Sequence, residues 1–307
     1  MTLAPQVEAG RTFSQFVQAH EAWLLNPAVG GRANFNRLTF NDVHLEQANL
    51  RSGILKNSTF LDADLSGIDL TEADLENSDF RRATLNGADL TKAALTGSQF
   101  DNCWLSRANL SEAVMRDASF RQANLNQARL FDARIEKSNF TKTDARDAAF
   151  NHARIVETDF SDAALDRAVF SRARIQLCRF HAVSGEDVSF SYAHLETCVF
   201  SLAHLNAAKF AEADLRGSMF QQAVLRGSDF RQSKLSHVDF TRADMSQSRF
   251  RDANMLAADL RGANLTGARE LTANQLAQAF TDTRTILPNG SRGPFMRFSG
   301  AEKPAPR

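Results

Sequence analysis

The stretch TFLDADLSGIDLTEADLENSDF, residues 59–80, carries a large apolar residue at every fifth position. These residues are Phe60, Leu65, Leu70, Leu75 and Phe80. A residue two positions earlier is usually small, and the other positions are mostly polar. Neither a helix, with 3.6 residues per turn, nor a flat strand, with a period of two, has a period of five.

The pattern extends over most of the 307 residues without an insertion. From Phe35 to Leu265, 45 of the 47 residue numbers divisible by five carry Phe, Leu, Ile or Met, and the exceptions are Ala145 and Gly185. Two positions earlier, 41 of 47 residues are Ala, Ser, Thr, Cys or Gly. The repeated unit is therefore one small residue, one outward residue, one large residue and two further outward residues.

This unit predicts a short extended side followed by a corner. An extended chain alternates its side chains between two faces, so the small and large residues point to the same face. Two consecutive outward residues break the alternation, as a bend requires. Repetition of side and corner closes the chain into a coil with the small and large residues inside.

The phenylalanines predict four sides per coil. Every twentieth residue from 40 to 240 is Phe, so residues twenty apart are expected to stack in a structural core ladder. A second series lies ten residues out of phase, half a coil away, and we interpret Ala145 and Gly185 as volume compensation for it. The first series consists of Phe40, Phe60, Phe80, Phe100, Phe120, Phe140, Phe160, Phe180, Phe200, Phe220 and Phe240, and the second of Phe150, Phe170, Phe190, Phe210, Phe230 and Phe250.

Units such as DADLS, EADLE, GADLT and RANLS resemble the pentapeptide repeat family, whose pattern is A(D/N)LXX. The resemblance covers residues 33–268, although the Asp or Asn of the pattern occurs in only 19 of 47 units. It implies an all-β fold, a right-handed quadrilateral β-helix. About 12 coils spaced about 4.8 Å apart would form a solenoid roughly 55 Å long.

Both ends of a solenoid need a cover. Residues 1–32 are expected to contain a capping helix, because Thr12 and Gln15 have capping-box spacing and Asn26-Pro27 forms a stop. After the repeats of residues 33–268, Thr272 and Gln275 predict a second capping helix within residues 269–280. The Pro- and Gly-rich residues 281–307 are expected to be a flexible tail.

Composition favours a protein outside membranes and without a polyanionic ligand. Lys plus Arg equals Asp plus Glu, 36 each, so no net charge attracts nucleic acid or anionic lipid. No apolar run approaches the roughly 20 residues of a membrane span, and the start lacks the features of a secretory signal. We therefore expect a soluble, cytoplasmic protein of bacterial origin. The capping helices expected at both ends favour a monomer or a weak dimer.

No residue pattern indicates catalysis, a cofactor or a metal. All three cysteines, Cys103, Cys178 and Cys198, occupy the small inward position, where packing accounts for them. His194 and His204 are half a coil apart and should lie on opposite walls, too far apart for one metal site. No catalytic, cofactor or metal residues are therefore expected, and the chain is not expected to be an enzyme.

Two sets of outward residues are candidates for an interaction surface. Arg134, Arg154 and Arg174, followed by His194, are twenty apart and are expected to form a column on one wall. Stacked like charges repel each other, so the column either is compensated by Glu136, Glu157 and Glu196 or binds an anionic partner. The second set is Val199, Leu202 and Met219, apolar residues that are expected to point outward on one wall.

The main functional hypothesis is a non-catalytic scaffold or protein-interaction module. The resemblance implies an alternative, a DNA mimic that binds type II topoisomerases such as gyrase. Residues 33–268 contain 31 acids and 28 bases, whereas duplex DNA of about 55 Å carries roughly 32 negative charges, which disfavours the mimic. Delivery into another cell as an effector is a further alternative. A protein partner is expected, without direct binding to nucleic acid or membranes.

Overall fold

The computed structural model describes residues 13–304. The chain divides into two compact units, Met1–Ala149 and Phe150–Arg307, called unit 1 and unit 2 below. Both are built from the same stacked four-sided coils. The expected fold class, the quadrilateral β-helix, is confirmed. The total number of coils stays a prediction.

The coil repeats every twenty residues within each unit. Residues pair in parallel with the residue twenty positions later, as Asp64 does with Thr84 in unit 1 and His204 with Val224 in unit 2. Within residues 13–304, most sides are single bridges, and five are long enough to be strands. These are β1 (Val114–Arg116) and β2 (Arg134–Glu136) in unit 1, and β3 (Arg154–Val156), β4 (Arg174–Gln176) and β5 (His194–Glu196) in unit 2. Strand β1 pairs with β2, β3 with β4, and β4 with β5, all in parallel.

The large apolar residues fill the coils, and their side chains are almost completely buried. In unit 1 the rings of Phe60, Phe80 and Phe100 stack with centroids 4.9 Å apart and planes within 3° of parallel. The stacking predicted for residues twenty apart is therefore confirmed. In unit 2 the Phe160 and Phe180 rings stack at 5.0 Å, and the Phe170 ring of the second column meets Phe180 edge to face, with the ring planes at 89°.

The small inward residue also forms hydrogen bonds. The Ser78 hydroxyl donates to the Leu55 carbonyl at 2.5 Å, and the Ser218 hydroxyl to the Leu195 carbonyl at 2.7 Å. In both cases the acceptor belongs to the large residue 23 positions earlier. A serine hydroxyl therefore finds an acceptor at the small inward position, which explains why Ser occurs there as well as Ala.

The corners use left-handed backbone conformations. The second residue after each large residue has a positive φ in nearly every unit, as at Asp62 with φ 58° and Gln222 with φ 58°. The Asp or Asn before the large residue accepts a hydrogen bond from the backbone two residues later, for example Asp159 from the Ser161 amide at 2.8 Å. Such Asx turns favour a bend after the side, which gives the A(D/N)LXX preference a structural role.

Helix α1 (Phe13–Leu25) lies at the beginning of unit 1 and ends just before Asn26, as predicted. The His20 side chain is fully buried and joins the helix to the first coils. Its Nδ1 accepts from the Ala33 amide at 2.9 Å, and its Nε2 lies 2.9 Å from the Arg51 carbonyl. The capping box predicted at Thr12 lies outside the described residues.

Helix α2 (Ala273–Gln278) follows the repeats in unit 2, and its predicted capping box is confirmed. The Thr272 side chain accepts from the Gln275 amide, while the Gln275 side chain accepts from the Thr272 amide. The Gln275 side-chain nitrogen also donates to the carbonyls of Phe250 and Ala253, at 2.7 and 2.9 Å. These bonds attach α2 to the last regular coils.

The residues after α2 differ from the expected flexible tail, because they continue the solenoid. Phe280 pairs with Asp259 and Ile286 with Asn264, which shifts the register by one and then two residues. Thr285 is buried, and its hydroxyl donates to the Leu260 carbonyl at 3.0 Å. The α2 insertion displaces this segment from the five-residue numbering, so the sequence pattern does not show it.

Candidate functional site

The candidate surface is a wall of unit 2, called here the arginine wall, formed by β3, β4, β5 and the side Asp214–Arg216. Arg154 pairs with Arg174, and Arg174 with His194. The side chain between each outward pair, such as Ile175 in β4, is buried and holds the strand on the core. The predicted column is therefore present in unit 2. Arg134 lies in unit 1, where it pairs with Val114.

Some charges of the arginine wall are compensated. Arg216 binds Asp214 through two nitrogens, each 2.8 Å from a carboxylate oxygen, and Lys234 contacts the same carboxylate at 3.3 Å. Desolvation opposes ionisation of Asp214, but these bonds outweigh it and hold its pKa below the usual range. Glu196 accepts from the Gln176 amide at 3.2 Å.

Two members of the column present polar groups to solvent. Within residues 13–304, the Arg174 and His194 side chains show no hydrogen bond or ion pair, and both residues are exposed. Of the expected compensating residues, Glu136 accepts from Arg116 in unit 1, and Glu157 lies at a corner with φ 50°. A surface groove follows the wall and is lined by Arg154, Arg174, Gln176, His194, Glu196, Asp214 and Arg216.

The apolar set lies on the next wall of unit 2. Val199 pairs with Met219, and both are half-buried, while Leu202 is exposed at the following corner. The structure adds Leu177, which the sequence analysis missed. Its side chain lies at a corner between the two walls and is 55% exposed. The signal was present in the sequence, since Leu177 is an apolar residue at an outward position.

The cysteines are unsuited to nucleophilic chemistry. Cys103, Cys178 and Cys198 are buried free thiols. Burial raises the pKa of Cys178 to about 12 and raises the pKa of the other two as well. A thiol attacks as its thiolate, which such a pKa makes scarce at neutral pH.

The histidines predicted to lie apart do so. His194 pairs with Arg174, whereas His204 pairs with Ser184 and Val224 on a different wall. The sequence analysis did not predict a group in unit 1 formed by His44, Glu46 and Asp64. Their potential ligand atoms lie within 4.8 Å of one another, a spacing that could hold a metal ion. His44 and Glu46 are exposed, and the Ser66 hydroxyl lowers the pKa of Asp64 despite desolvation.

Comparison with protein families agrees with the repeat geometry. A model of the pentapeptide repeat region matches residues 33–109 and 93–170. A second model, of eight pentapeptide repeats, matches residues 186–222, 198–236, 208–247 and 229–267. The chain belongs to the pentapeptide repeat family.

Several solved pentapeptide repeat proteins are similar to this chain. HetL from the cyanobacterium Nostoc sp. strain PCC 7120, a protein involved in heterocyst differentiation regulation, has 25% identity over 88% of this chain and 97% of its own, with a TM-score of 0.38. A pentapeptide repeat protein from the thylakoid lumen of Arabidopsis thaliana has 27% identity over 32% of this chain and 68% of its own, with a TM-score of 0.27.

A variant of QnrB1, a plasmid-mediated fluoroquinolone resistance protein, has 19% identity over 68% of this chain and 82% of its own, with a TM-score of 0.26. No curated protein matches this pentapeptide repeat chain significantly. Neither helix in the described part of the chain has the length and apolar character needed to cross a bilayer.

Proposed function

We propose that the chain is a non-catalytic scaffold that binds a protein partner through the arginine wall. The observation that carries this proposal is the in-register pair of Arg174 and His194, exposed on paired strands. Arginine is enriched at the energetic centres of protein interfaces, because its flat guanidinium both packs and donates several hydrogen bonds.

The composition of the wall supports a protein partner better than a polyanion. The groove combines three arginines and a histidine with Glu196 and Asp214. A nucleic acid would be repelled by these carboxylates, whereas a protein surface offers charges of both signs. The buried core beneath the wall fixes the backbone, which lowers the entropy lost on binding.

The absence of catalysis is part of the proposal. The buried thiols have raised pKa values, and His194 and His204 lie on different walls. We also propose that the protein is cytoplasmic, since buried free thiols need no oxidising compartment. We further propose that it is a monomer or a weak dimer. Cell fractionation and light scattering after size-exclusion chromatography test these two points.

Affinity capture from cytosol of the source organism tests the partner. Arg174→Glu reverses the central charge of the wall. Arg249→Glu is the matched control, because Arg249 is also exposed, lies in unit 2 and pairs through the same repeat position with Asp229. The proposal predicts a captured protein that Arg174→Glu loses and Arg249→Glu retains. Equal capture by both variants would show that the arginine wall is not the interface.

The topoisomerase alternative is less well supported, because basic residues nearly balance the acids. A gyrase supercoiling assay with purified protein separates it from the scaffold. Inhibition or protection at micromolar protein would favour the mimic, and no effect would favour the scaffold. Delivery as an effector would instead be seen as secretion by the source organism.

A further inference from the structure

A second groove of unit 2 lies at a corner around Gly262 and is called here the Gly262 notch. It is lined by Gln221, Gln222, Thr241, Arg242, Arg261 and Arg284. Every lining side chain can donate a hydrogen bond, and none is a carboxylate. The arginine wall differs in this respect, because Glu196 and Asp214 line its groove.

One corner beside the notch, at Gly262, lacks a side chain. Gln222, Arg242 and Gly262 occupy the same left-handed corner position in successive coils, and Gly262 has φ 70°. A Cβ at Gly262 would lie 3.3 Å from the Cγ of Arg242, so the Arg242 stem covers the glycine. The Asp282 side chain, from the register-shifted segment after α2, accepts from the Gly262 amide at 2.8 Å.

Two of the three arginines of the notch are held in place by carboxylates. Arg261 binds both carboxylate oxygens of Asp259, and Arg284 donates to Asp282 at 3.0 Å. The Arg261 hydrogen bonds lower the pKa of Asp259. Desolvation opposes the same change at Asp282, but bonds from Gly262, Arg284 and other groups outweigh it and lower that pKa too. Each guanidinium has five N–H groups, so donors remain for a ligand.

The remaining donors have no protein acceptor. In the part of the chain from residue 13 to 304, the side chains of Arg242, Gln222 and Thr241 show no hydrogen bond. Asp239, the other nearby carboxylate, already accepts from the Thr241 amide at 2.8 Å and from Gln221 at 2.6 Å. An acceptor-rich ligand would therefore satisfy the Arg242 guanidinium, an amide and a hydroxyl together.

We propose that the Gly262 notch binds a small oxyanion, specifically a phosphate group, either free or as a monoester. Phosphate accepts several hydrogen bonds at once, and its oxygens match the planar fork of arginine. This site is independent of the arginine wall, so either proposal can fail without the other.

Titration of ¹⁵N-labelled protein with inorganic phosphate tests the site, at ionic strength held constant with chloride. The Gly262 amide is the reporter, and we expect it to shift saturably. Arg242→Gln should weaken phosphate binding at least about tenfold, because a charge-assisted hydrogen bond is lost. Arg249→Gln, an exposed arginine of another wall, should bind like the parent protein.

O-phosphoserine forms the second arm of the experiment and distinguishes the source of the phosphate. Tighter binding of the monoester than of the free ion would assign the notch to phosphorylated ligands, and the reverse to free phosphate. The proposal is overturned if neither anion shifts the Gly262 amide saturably, or if Arg242→Gln and Arg249→Gln bind equally well. Circular dichroism verifies that the variants are folded.

Discussion

Unit 1 and unit 2 follow the same five-residue repeat but fill their coils differently. In unit 1 one column of stacked rings, from Phe40 to Phe140, lies among smaller aliphatic residues. In unit 2 two columns run together, and their rings meet edge to face at angles of 80–90°. The same backbone coil therefore accepts two different distributions of core volume.

The second column requires space elsewhere in the coil. Gly185 replaces a large residue at a central position of unit 2, and a Cβ there would lie 3.0 Å from Leu205 Cδ2 and 3.3 Å from Val188 Cγ1. Neighbouring side chains thus already occupy the place of the missing one. This geometry supports the volume compensation expected for Gly185 and shows that the total core volume is constrained.

The two units also differ in how their helices are attached. Helix α1 of unit 1 is held by the buried imidazole of His20, which can be protonated. Helix α2 of unit 2 is held by the Gln275 amide, which does not titrate in this range. Acid should therefore act on the helix of unit 1 and leave that of unit 2 in place.

Removing a ring should have the largest effect. Phe180 stacks on Phe160 and Phe200 and meets Phe170 and Phe190 edge to face, whereas Phe80 only stacks on Phe60 and Phe100. Each truncation to Ala should cost about 3–5 kcal/mol of unfolding free energy. Phe180→Ala should exceed Phe80→Ala by about 0.5–1.5 kcal/mol for each edge-to-face pair lost. Urea unfolding followed by circular dichroism measures both, and equal losses would mean that the second column adds no aromatic stabilisation.

Adding a methyl group at Gly185 should have the next largest effect. Gly185→Ala places a Cβ against Leu205 and Val188, and such overpacking costs about 1–3 kcal/mol of unfolding free energy. The double variant with Leu205→Val should recover part of the loss, because it removes a methylene from the crowded side. Thermal unfolding of the three variants tests this. Volume compensation is refuted at this position if Gly185→Ala is as stable as the parent protein.

Removing the hydroxyl of a serine at the small inward position should cost more stability at Ser218 in unit 2 than at Ser98 in unit 1. The Ser218 hydroxyl in unit 2 donates to the Leu195 carbonyl and accepts from the Cys198 amide at 3.1 Å. The Cys198 amide has no other acceptor among the described residues. Ser218→Ala should therefore cost about 1–3 kcal/mol, because a buried N–H is left unpaired.

Ser98 in unit 1 is the matched control. Its hydroxyl donates to the Leu75 carbonyl at 2.6 Å, and the Ser78 amide retains its own bond to Leu75. Ser98→Ala should cost only about 1 kcal/mol. Urea unfolding measures the difference, and a larger loss at Ser98 would contradict this explanation.

Acidification should have the smallest effect, confined to α1. Desolvation lowers the pKa of His20 below its usual 6.5, opposed by its bond to the Arg51 carbonyl, and Arg32 and Glu21 are the charged groups nearby. A histidine whose pKa is lower in the folded than in the unfolded chain stabilises the fold fully when the pH lies above the unfolded-state pKa. This contribution is lost as the pH falls through the folded-state pKa. Amides of α1 should then exchange faster in acid, after correction for intrinsic rates. His20→Gln should remove this pH dependence, and equal acceleration in α2 would argue against His20 as its cause.

The period of the coil could be predicted from the sequence because inward positions tolerate few residue types. Phe60, Phe80 and Phe100 mark four sides per coil, and Thr272 with Gln275 marks the start of α2. The continuation at Thr285 could not be predicted, because α2 displaces the register that identifies the other units. In the candidate site, the pairing of Arg174 with His194 followed from their twenty-residue spacing.

The sequence by itself determined which residues face inward, that four sides form a coil and which side chains stack. These properties follow from local alternation and volume, which repeat along the chain. Only the tertiary structure decided which outward charges are compensated and which donors line the Gly262 notch. Outward side chains are not constrained by the core, so their partners depend on rotamers and on neighbours twenty residues away.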